Sequence, residues 1–221
     1  MSIISGFRSV SGLIVLLLCQ TVFNGAKAQI GREDVTRQIA NAKAESHTTA
    51  VETMVRLKKL LTPETMQWIN ISSDEVGQLE LSEPIVVFQI KLDALRTLSP
   101  STNAYATLGV PMRILYPLSI QNQPRASLSI IRNPAGWEFG SIGGSNLTRL
   151  LDDGVRSIRS RRNFYYAVQM PSLDLYFLGE GLASGWNLVA VQSDARLSMK
   201  KGDGAPAVPA LLRVANIYGL R

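Results

Sequence analysis

The sequence contains very little cysteine and histidine: one residue of each among 221. Cys19 lies in a segment that we predict to be removed, which would leave the mature chain without a thiol for nucleophilic, redox or zinc chemistry. His47 lies between Ser46 and Thr48 in a predicted helix, and no Gly-x-Ser-x-Gly motif is present to support a Ser-His-Asp triad. We therefore expect no cysteine or histidine catalysis, no metal site and no cofactor.

Long hydrophobic runs are also scarce. A membrane span needs about 20 apolar residues, and the N-terminal apolar run covers only residues 13–18. Arg8 precedes this run, and residues 26–28 (Ala-Lys-Ala) follow it with the small-x-small pattern that signal peptidase reads. We predict a signal peptide over residues 1–28, in preference to an uncleaved membrane anchor. No later stretch is long and apolar enough to span a bilayer, so we expect a soluble mature chain that is periplasmic or secreted.

The single cysteine also bears on the cellular compartment. Leu18 precedes Cys19, whereas a lipoprotein signal has a small residue at that place, so lipidation is not expected. Exported eukaryotic domains usually carry disulfides, and a cysteine-free exported chain therefore favours a bacterial envelope. We expect residues 29–221 to form a single α+β domain, mainly helical over residues 29–82 and mixed over residues 83–221.

Hydrophobic periodicity predicts the order of helices and strands. Apolar residues recur at helical spacing over residues 31–61, although residues 47–49 weaken the middle, and Pro63 can begin a second short helix. β-branched and alternating stretches predict strands near residues 85–92, 112–120, 125–131, 137–144, 164–170, 173–179 and 186–192. Pro117 in the second stretch indicates an edge strand or a bulge.

The remaining segments complete the predicted fold. We predict a helix from Ser145 to about residue 158, a flexible loop over residues 200–206 and a last helix over residues 209–218. The sequence therefore predicts an α+β fold. An N-terminal helix or helix pair comes first, followed by a mostly antiparallel sheet, with a mid-chain helix and a short C-terminal helix packed on that sheet.

Positive charge is concentrated in one short stretch. Removing Arg8 and Lys27 with the signal peptide leaves 21 basic and 17 acidic residues, a formal charge of +4. Four arginines lie within residues 156–162, and we consider them candidates for docking on an anionic surface. They are Arg156, Arg159, Arg161 and Arg162. Outside the cytoplasm the available polyanions are lipid and glycan, so we expect no nucleic acid. The alternative is a helix end, where positive charge is favoured by the helix dipole.

Aromatic and acidic residues in the C-terminal half are candidate pocket residues. Trp137, Tyr176 and Trp186 fall on predicted strands, where aromatic side chains most often fill a core but can also line a ligand cleft. Asp174 and Glu180 flank apolar strand residues, and either carboxylate would be of interest if buried. We assign no catalytic residue among them.

One adjacent acidic pair, Asp152 and Asp153, lies in the mid-chain helix. Adjacent helical positions point about 100° apart, so the two carboxylates cannot address one bond. We interpret them as partners of Arg149 and Arg156, which lie three or four residues away.

Taken together, these patterns favour a non-enzymatic, exported protein of the bacterial envelope or periplasm. It would bind an unknown small ligand or envelope protein. Docking on anionic lipid or glycan through the arginines is the alternative, and a hydrolase that uses a carboxylate or a serine is less favoured.

Overall fold

A computed structural model describes residues 30–159 and 164–221, so the predicted signal peptide lies outside the described residues. The helices are α1 (Arg32–Leu60), α2 (Pro63–Trp68), α3 (Leu92–Arg96), α4 (Ser145–Arg159) and α5 (Ala207–Ile217). The strands are β1 (Glu80–Leu81), β2 (Ile85–Gln89), β3 (Arg113–Ile120), β4 (Gln123–Asn133), β5 (Gly136–Gly144), β6 (Tyr165–Met170), β7 (Leu175–Leu182), β8 (Gly185–Ala190) and β9 (Gly204–Pro206). The predicted α+β class, with N-terminal, mid-chain and C-terminal helices, is confirmed.

All nine strands belong to one sheet in the order β5-β4-β3-β2-β6-β7-β8-β9, with β1 paired to β3. Every pairing is antiparallel except β2 with β6, where Val87 lies opposite Ala167 and Phe88 opposite Val168. A parallel neighbour requires a crossover connection. Here α4 lies within the segment that leads from the sheet edge at β5 back to the centre at β6.

Helices cover both faces of the sheet. The α1 and α5 helices pack on one face, which we call the α1 face, and α4 packs on the other, the α4 face. Because side chains alternate along a strand, Val86 and Phe88 of β2 enter the α1-face core, while Ile85 and Val87 enter the α4-face core. This explains why β2 is an uninterrupted apolar run and not an alternating one.

The long helix α1 is continuous, so the weakening that we predicted at residues 47–49 is not seen. Its polar residues find partners in the sheet. The Ser46 and Tyr116 hydroxyls lie 2.7 Å apart, and the Thr49 hydroxyl donates to the Trp137 carbonyl at 3.2 Å. Tertiary hydrogen bonds thus offset the low helix propensity of serine and threonine.

One local prediction needs correction, and for another the structure selects one of its two alternatives. Residues 200–206 are not a simple loop, because Gly204–Pro206 forms β9 and pairs with β8. Pro117 does not lie on an edge strand, because β3 has neighbours on both sides. A register shift follows Pro117 between Leu118 and Ser119, so the bulge alternative is the one observed, next to the residue that lacks an N–H.

Within the two described ranges, no helix has the length and apolarity that crossing a membrane requires.

Candidate functional site

Two adjoining cavities open between α4 and the turn that joins β3 to β4. They share Asn122, Asp152 and Arg156, and we call them together the α4 cleft. The Arg125 lobe, about 270 Å³, is lined by Ile69, Asn70, Asn122, Gln123, Pro124, Arg125, Arg149, Asp152, Asp153 and Arg156. The Tyr165 lobe, about 550 Å³, is lined by Glu80, Leu81, Ser82, Glu83, Ile85, Ser119, Asn122, Asp152, Val155, Arg156 and Tyr165.

The β3–β4 turn forms one side of the cleft, and Arg156 joins it to α4. Gln121 and Asn122 are both left-handed, with φ of 50° and 63°, as a two-residue hairpin turn requires. The Arg156 guanidinium donates from Nη2 to the Asn122 carbonyl at 3.0 Å and from Nε to Asp152 Oδ2 at 2.8 Å. One arginine therefore bridges the helix and the turn, between the two lobes.

The two aspartates of the cleft are held in ion pairs. Asp152 pairs with Arg156, as predicted, but Asp153 pairs with Lys201 at 3.0 Å and not with Arg149. Arg149 donates instead to the amide oxygen of Asn146 at 2.8 Å. The sequence separation of Asp153 and Lys201 explains the difference, because helical spacing alone cannot indicate a partner outside the helix.

Arg125, at the start of β4, is held from one side only. Its Nη2 lies 3.4 Å from Glu75 Oε1, while the Ser72 amide and hydroxyl both donate to Glu75 Oε2 at 2.9 Å. These hydrogen bonds, with a smaller contribution from Arg125, lower the pKa of Glu75 and keep it ionised. The Arg125 Nε is buried and has no hydrogen-bond partner in the described part of the chain.

The Tyr165 lobe has the opposite charge balance. Two glutamates of the β1 region, Glu80 and Glu83, line it together with Asp152, and among the described residues Arg156 is the cation that lines it. Lys43 lies beside this lobe, with its Nζ 3.4 Å from Glu83 and 5.8 Å from the centre of the Tyr165 ring. The α4 cleft thus has a basic lobe and an acidic lobe on either side of Arg156.

The predicted arginine cluster is only partly described. Arg156 is in the cleft, where it contacts Asp152 and Asn122. Arg159 is the last residue of α4, and its side chain lies outside the described part, as do Arg161 and Arg162. Docking on an anionic surface through these residues stays a prediction.

The two candidate tryptophans lie on the α1 face but far apart. Trp137 of β5 donates from Nε1 to Glu45 at 3.1 Å, and Trp186 of β8 donates from Nε1 to the Ala104 carbonyl at 2.9 Å. Six strand spacings separate β5 from β8, which amounts to roughly 30 Å at about 4.8 Å per strand. Trp186 is buried against Tyr166 and so contributes to the core.

The other candidate pocket residues do not join the tryptophans. Tyr176 and Glu180 of β7 lie on the α4 face, and Asp174 is an exposed left-handed residue just before that strand. Glu180 is 1% exposed, and the Asn187 side-chain amide donates to it at 3.4 Å. The structure therefore buries one of the two carboxylates but divides the five candidates between two faces and a turn.

Of the residues that line the Arg125 lobe, Arg156 was a candidate from the sequence, whereas Arg125 and Arg149 were not, since they carry no motif. Among the residues that the structure describes, no group of three or more His, Cys, Asp or Glu side chains is placed to hold a metal ion. No protein-family model, curated protein or solved structure matches the chain. The candidate site is consequently defined by its own geometry alone.

Proposed function

We propose that the mature chain is an exported, non-enzymatic binding protein of a bacterial envelope, and that its ligand or partner docks in the α4 cleft. The cleft is formed by side chains from α4, the β3–β4 turn and the α2–β1 region. Its volume is that of a small-molecule site, which is typically about 300–1,000 Å³.

The observation that best supports this proposal is that the two aspartates of the cleft are held in ion pairs. Asp152 and Asp153 are each held by a cation at 2.8–3.0 Å. A general base must accept a proton from a bound substrate through a lone pair directed at it. Carboxylates fixed in ion pairs are better suited to present hydrogen-bond acceptors in a set geometry, which favours recognition over proton transfer.

Export is supported by the sequence of residues 1–28 and is compatible with the fold. The first described helix begins at Arg32, so cleavage after Ala28 would leave all the described helices and strands intact. Expression of the full chain with a C-terminal tag in a Gram-negative host tests this. We expect the tagged protein in the periplasmic fraction with Gln29 as its first residue, and a cytoplasmic chain that retains its N-terminal segment would contradict export.

Binding is tested by blocking each lobe. Residues 29–221 would be screened by thermal shift against sugars, amino acids, carboxylates, phosphates and peptides. We expect Glu80→Trp to abolish binding in the Tyr165 lobe or Asp153→Trp to abolish it in the Arg125 lobe. Val55→Trp, on the exposed outer side of α1, is the matched control and should bind normally.

Two results would contradict the proposed function. Ligands that raise the melting temperature equally in wild type and in both blocked variants would place binding elsewhere. Turnover of ester, glycoside, peptide or phosphate substrates, lost on a single substitution, would show an enzyme.

A further inference from the structure

We propose that the Arg125 lobe binds an oxyanion, that is, the phosphate or carboxylate group of a small molecule. This inference rests on the proposed function, because it names the chemistry of a ligand for the α4 cleft. It depends on which of the three arginines that line the lobe are already paired with a carboxylate.

Arg149 supplies positive charge that no carboxylate neutralises among the described residues. The lobe is lined by three arginines and two aspartates. Both aspartates are already paired, Asp152 with Arg156 and Asp153 with Lys201. Arg149 contacts only the neutral Asn146 amide, so its guanidinium can take an anion without breaking an ion pair.

Arg125 supplies a second guanidinium that lines the lobe. Its Nε is buried and has no hydrogen-bond partner among the described residues, although a buried N–H normally has one. Glu75 engages the guanidinium only through Nη2, at 3.4 Å. An oxyanion that accepts from the guanidinium groups of Arg125 and Arg149 would form charge-assisted hydrogen bonds, which are the strong ones.

The size and charge of the two lobes assign the anion to one of them. The Arg125 lobe is about 270 Å³, and a water molecule occupies about 30 Å³ of the liquid, so a group of several heavy atoms fits. Glu80 of the Tyr165 lobe repels an anion, whereas Glu83 of that lobe is paired with Lys43. We therefore expect the oxyanion group in the Arg125 lobe and any attached neutral or basic part towards the Tyr165 lobe.

The experiment is a titration of ¹⁵N-labelled residues 29–221 with sodium phosphate and with sodium acetate, at constant ionic strength. The Arg125 Nε–H resonance, assigned by its loss in Arg125→Gln, should move with saturable dependence on at least one of the two anions. Arg149→Gln should weaken that binding at least tenfold. Arg56→Gln removes an exposed arginine of α1, which packs on the opposite face of the sheet from α4, and it should leave binding unchanged.

A second experiment, with vesicles of phosphatidylglycerol or of phosphatidylcholine, distinguishes a free small molecule from a lipid headgroup as the source of the oxyanion. Phosphate binding with no preference for phosphatidylglycerol vesicles supports a free small molecule. Phosphate binding together with an Arg149-dependent preference for those vesicles supports a lipid headgroup.

Three results would overturn the inference. They are the absence of saturable binding of either anion, binding that Arg149→Gln leaves intact, and equal weakening by Arg56→Gln, which would indicate a general charge effect. Arg149 is exposed, so its variant should fold, and circular dichroism would verify this. If oxyanions fail to bind while Glu80→Trp still abolishes binding of a neutral ligand, only this inference falls and the proposed function stands.

Discussion

Gly179 of β7 lies at a position where the fold leaves no space for a side chain. It lies opposite Tyr166 of β6, and the tyrosine ring covers it. A Cβ added at Gly179 would lie 2.1 Å from Tyr166 Cε2 and 2.5 Å from Cζ. Real Cβ atoms do not approach other atoms so closely, so Gly179→Ala requires the ring or the strand to move.

The ring has little room to move. Tyr166 is fully buried, with the Phe88 ring centre at 5.1 Å and the Trp186 ring centre at 5.8 Å. Overpacking a well-filled core typically costs about 1–3 kcal/mol, and the immobile ring favours the upper part of that range. For a chain of this size, each kcal/mol lowers the melting temperature by about 2–4 °C.

Urea denaturation followed by circular dichroism measures the effect. Gly204→Ala is the matched control, since its added Cβ would lie 3.6 Å from Val189 Cγ2, an ordinary contact. In a Tyr166→Ala background the clash is gone, so a double-mutant cycle should show that Gly179→Ala has lost its cost. A Gly179→Ala variant within about 0.5 kcal/mol of wild type, the range of neutral surface changes, or an equal cost in both backgrounds, would refute the reasoning.

Three further outcomes are expected. The Tyr166 hydroxyl is buried with no partner among the described residues, so Tyr166→Phe should raise the free energy of unfolding by about 1 kcal/mol, measured in urea. Burial raises the pKa of Tyr166 well above 10, so above that pH the unfolded chain loses its proton first. The contribution of Tyr166 to the free energy of unfolding should therefore be full below pH 10. Above pH 10 the free energy of unfolding should fall by up to about 1.4 kcal/mol per pH unit, and it should fall less steeply in Tyr166→Phe. Leu151→Ala should lower the free energy of unfolding by about 2–5 kcal/mol, because Leu151 packs in the α4-face core. Asp153→Ala removes an exposed ion pair on the same helix and should lower it by less than about 1 kcal/mol in the same assay.

The elements of the fold that depend on local periodicity could be predicted from the sequence. Period-two alternation in the strand predicted at residues 164–170 places Phe164 and Tyr166 on one side of the sheet and Tyr165 on the other, and the two cores divide them in that way. The stripe of α4 was equally predictable, since Leu151 and Val155 are one helical turn apart and both are buried. In each case the signal lies within a few residues.

Features that depend on distant partners could not be predicted. In the stretch that made the middle of α1 look weak, Thr49 hydrogen-bonds to Trp137, 88 residues away, and the neighbouring Ser46 hydrogen-bonds to Tyr116, 70 residues away. Strand β1 has two residues and β9 has three, and both exist only because longer strands offer them an edge. The parallel pairing of β2 with β6 likewise follows from the path of α4 and not from either strand alone.

The candidate site belongs to this second group. It is assembled from Asn70 after α2, Asn122 and Arg125 at the β3–β4 turn, and Arg149 in α4, and these segments carry no shared motif. Period-two alternation does place Tyr176 and Glu180 on one face of β7. It could not reveal that Trp137 and Trp186 lie on the other face and six strand spacings apart, because that depends on strand order.

Arg156 shows how the structure changes the interpretation of the arginine-rich stretch. In the sequence it is the first of four closely spaced cations that precede aromatic residues, and a docking surface would need its guanidinium to remain available. In the fold it bridges Asp152 and the carbonyl of Asn122, so it joins α4 to the β3–β4 turn. If Arg156 bound an external anion instead, these hydrogen bonds between the two sides of the cleft would be lost. Among the described residues Arg149 hydrogen-bonds to a neutral amide and to no carboxylate, so it can bind an anion without such a loss. For that reason the oxyanion that we propose for the Arg125 lobe is expected to bind Arg149 and Arg125, while docking on an anionic surface through the arginine cluster of Arg156 stays a prediction.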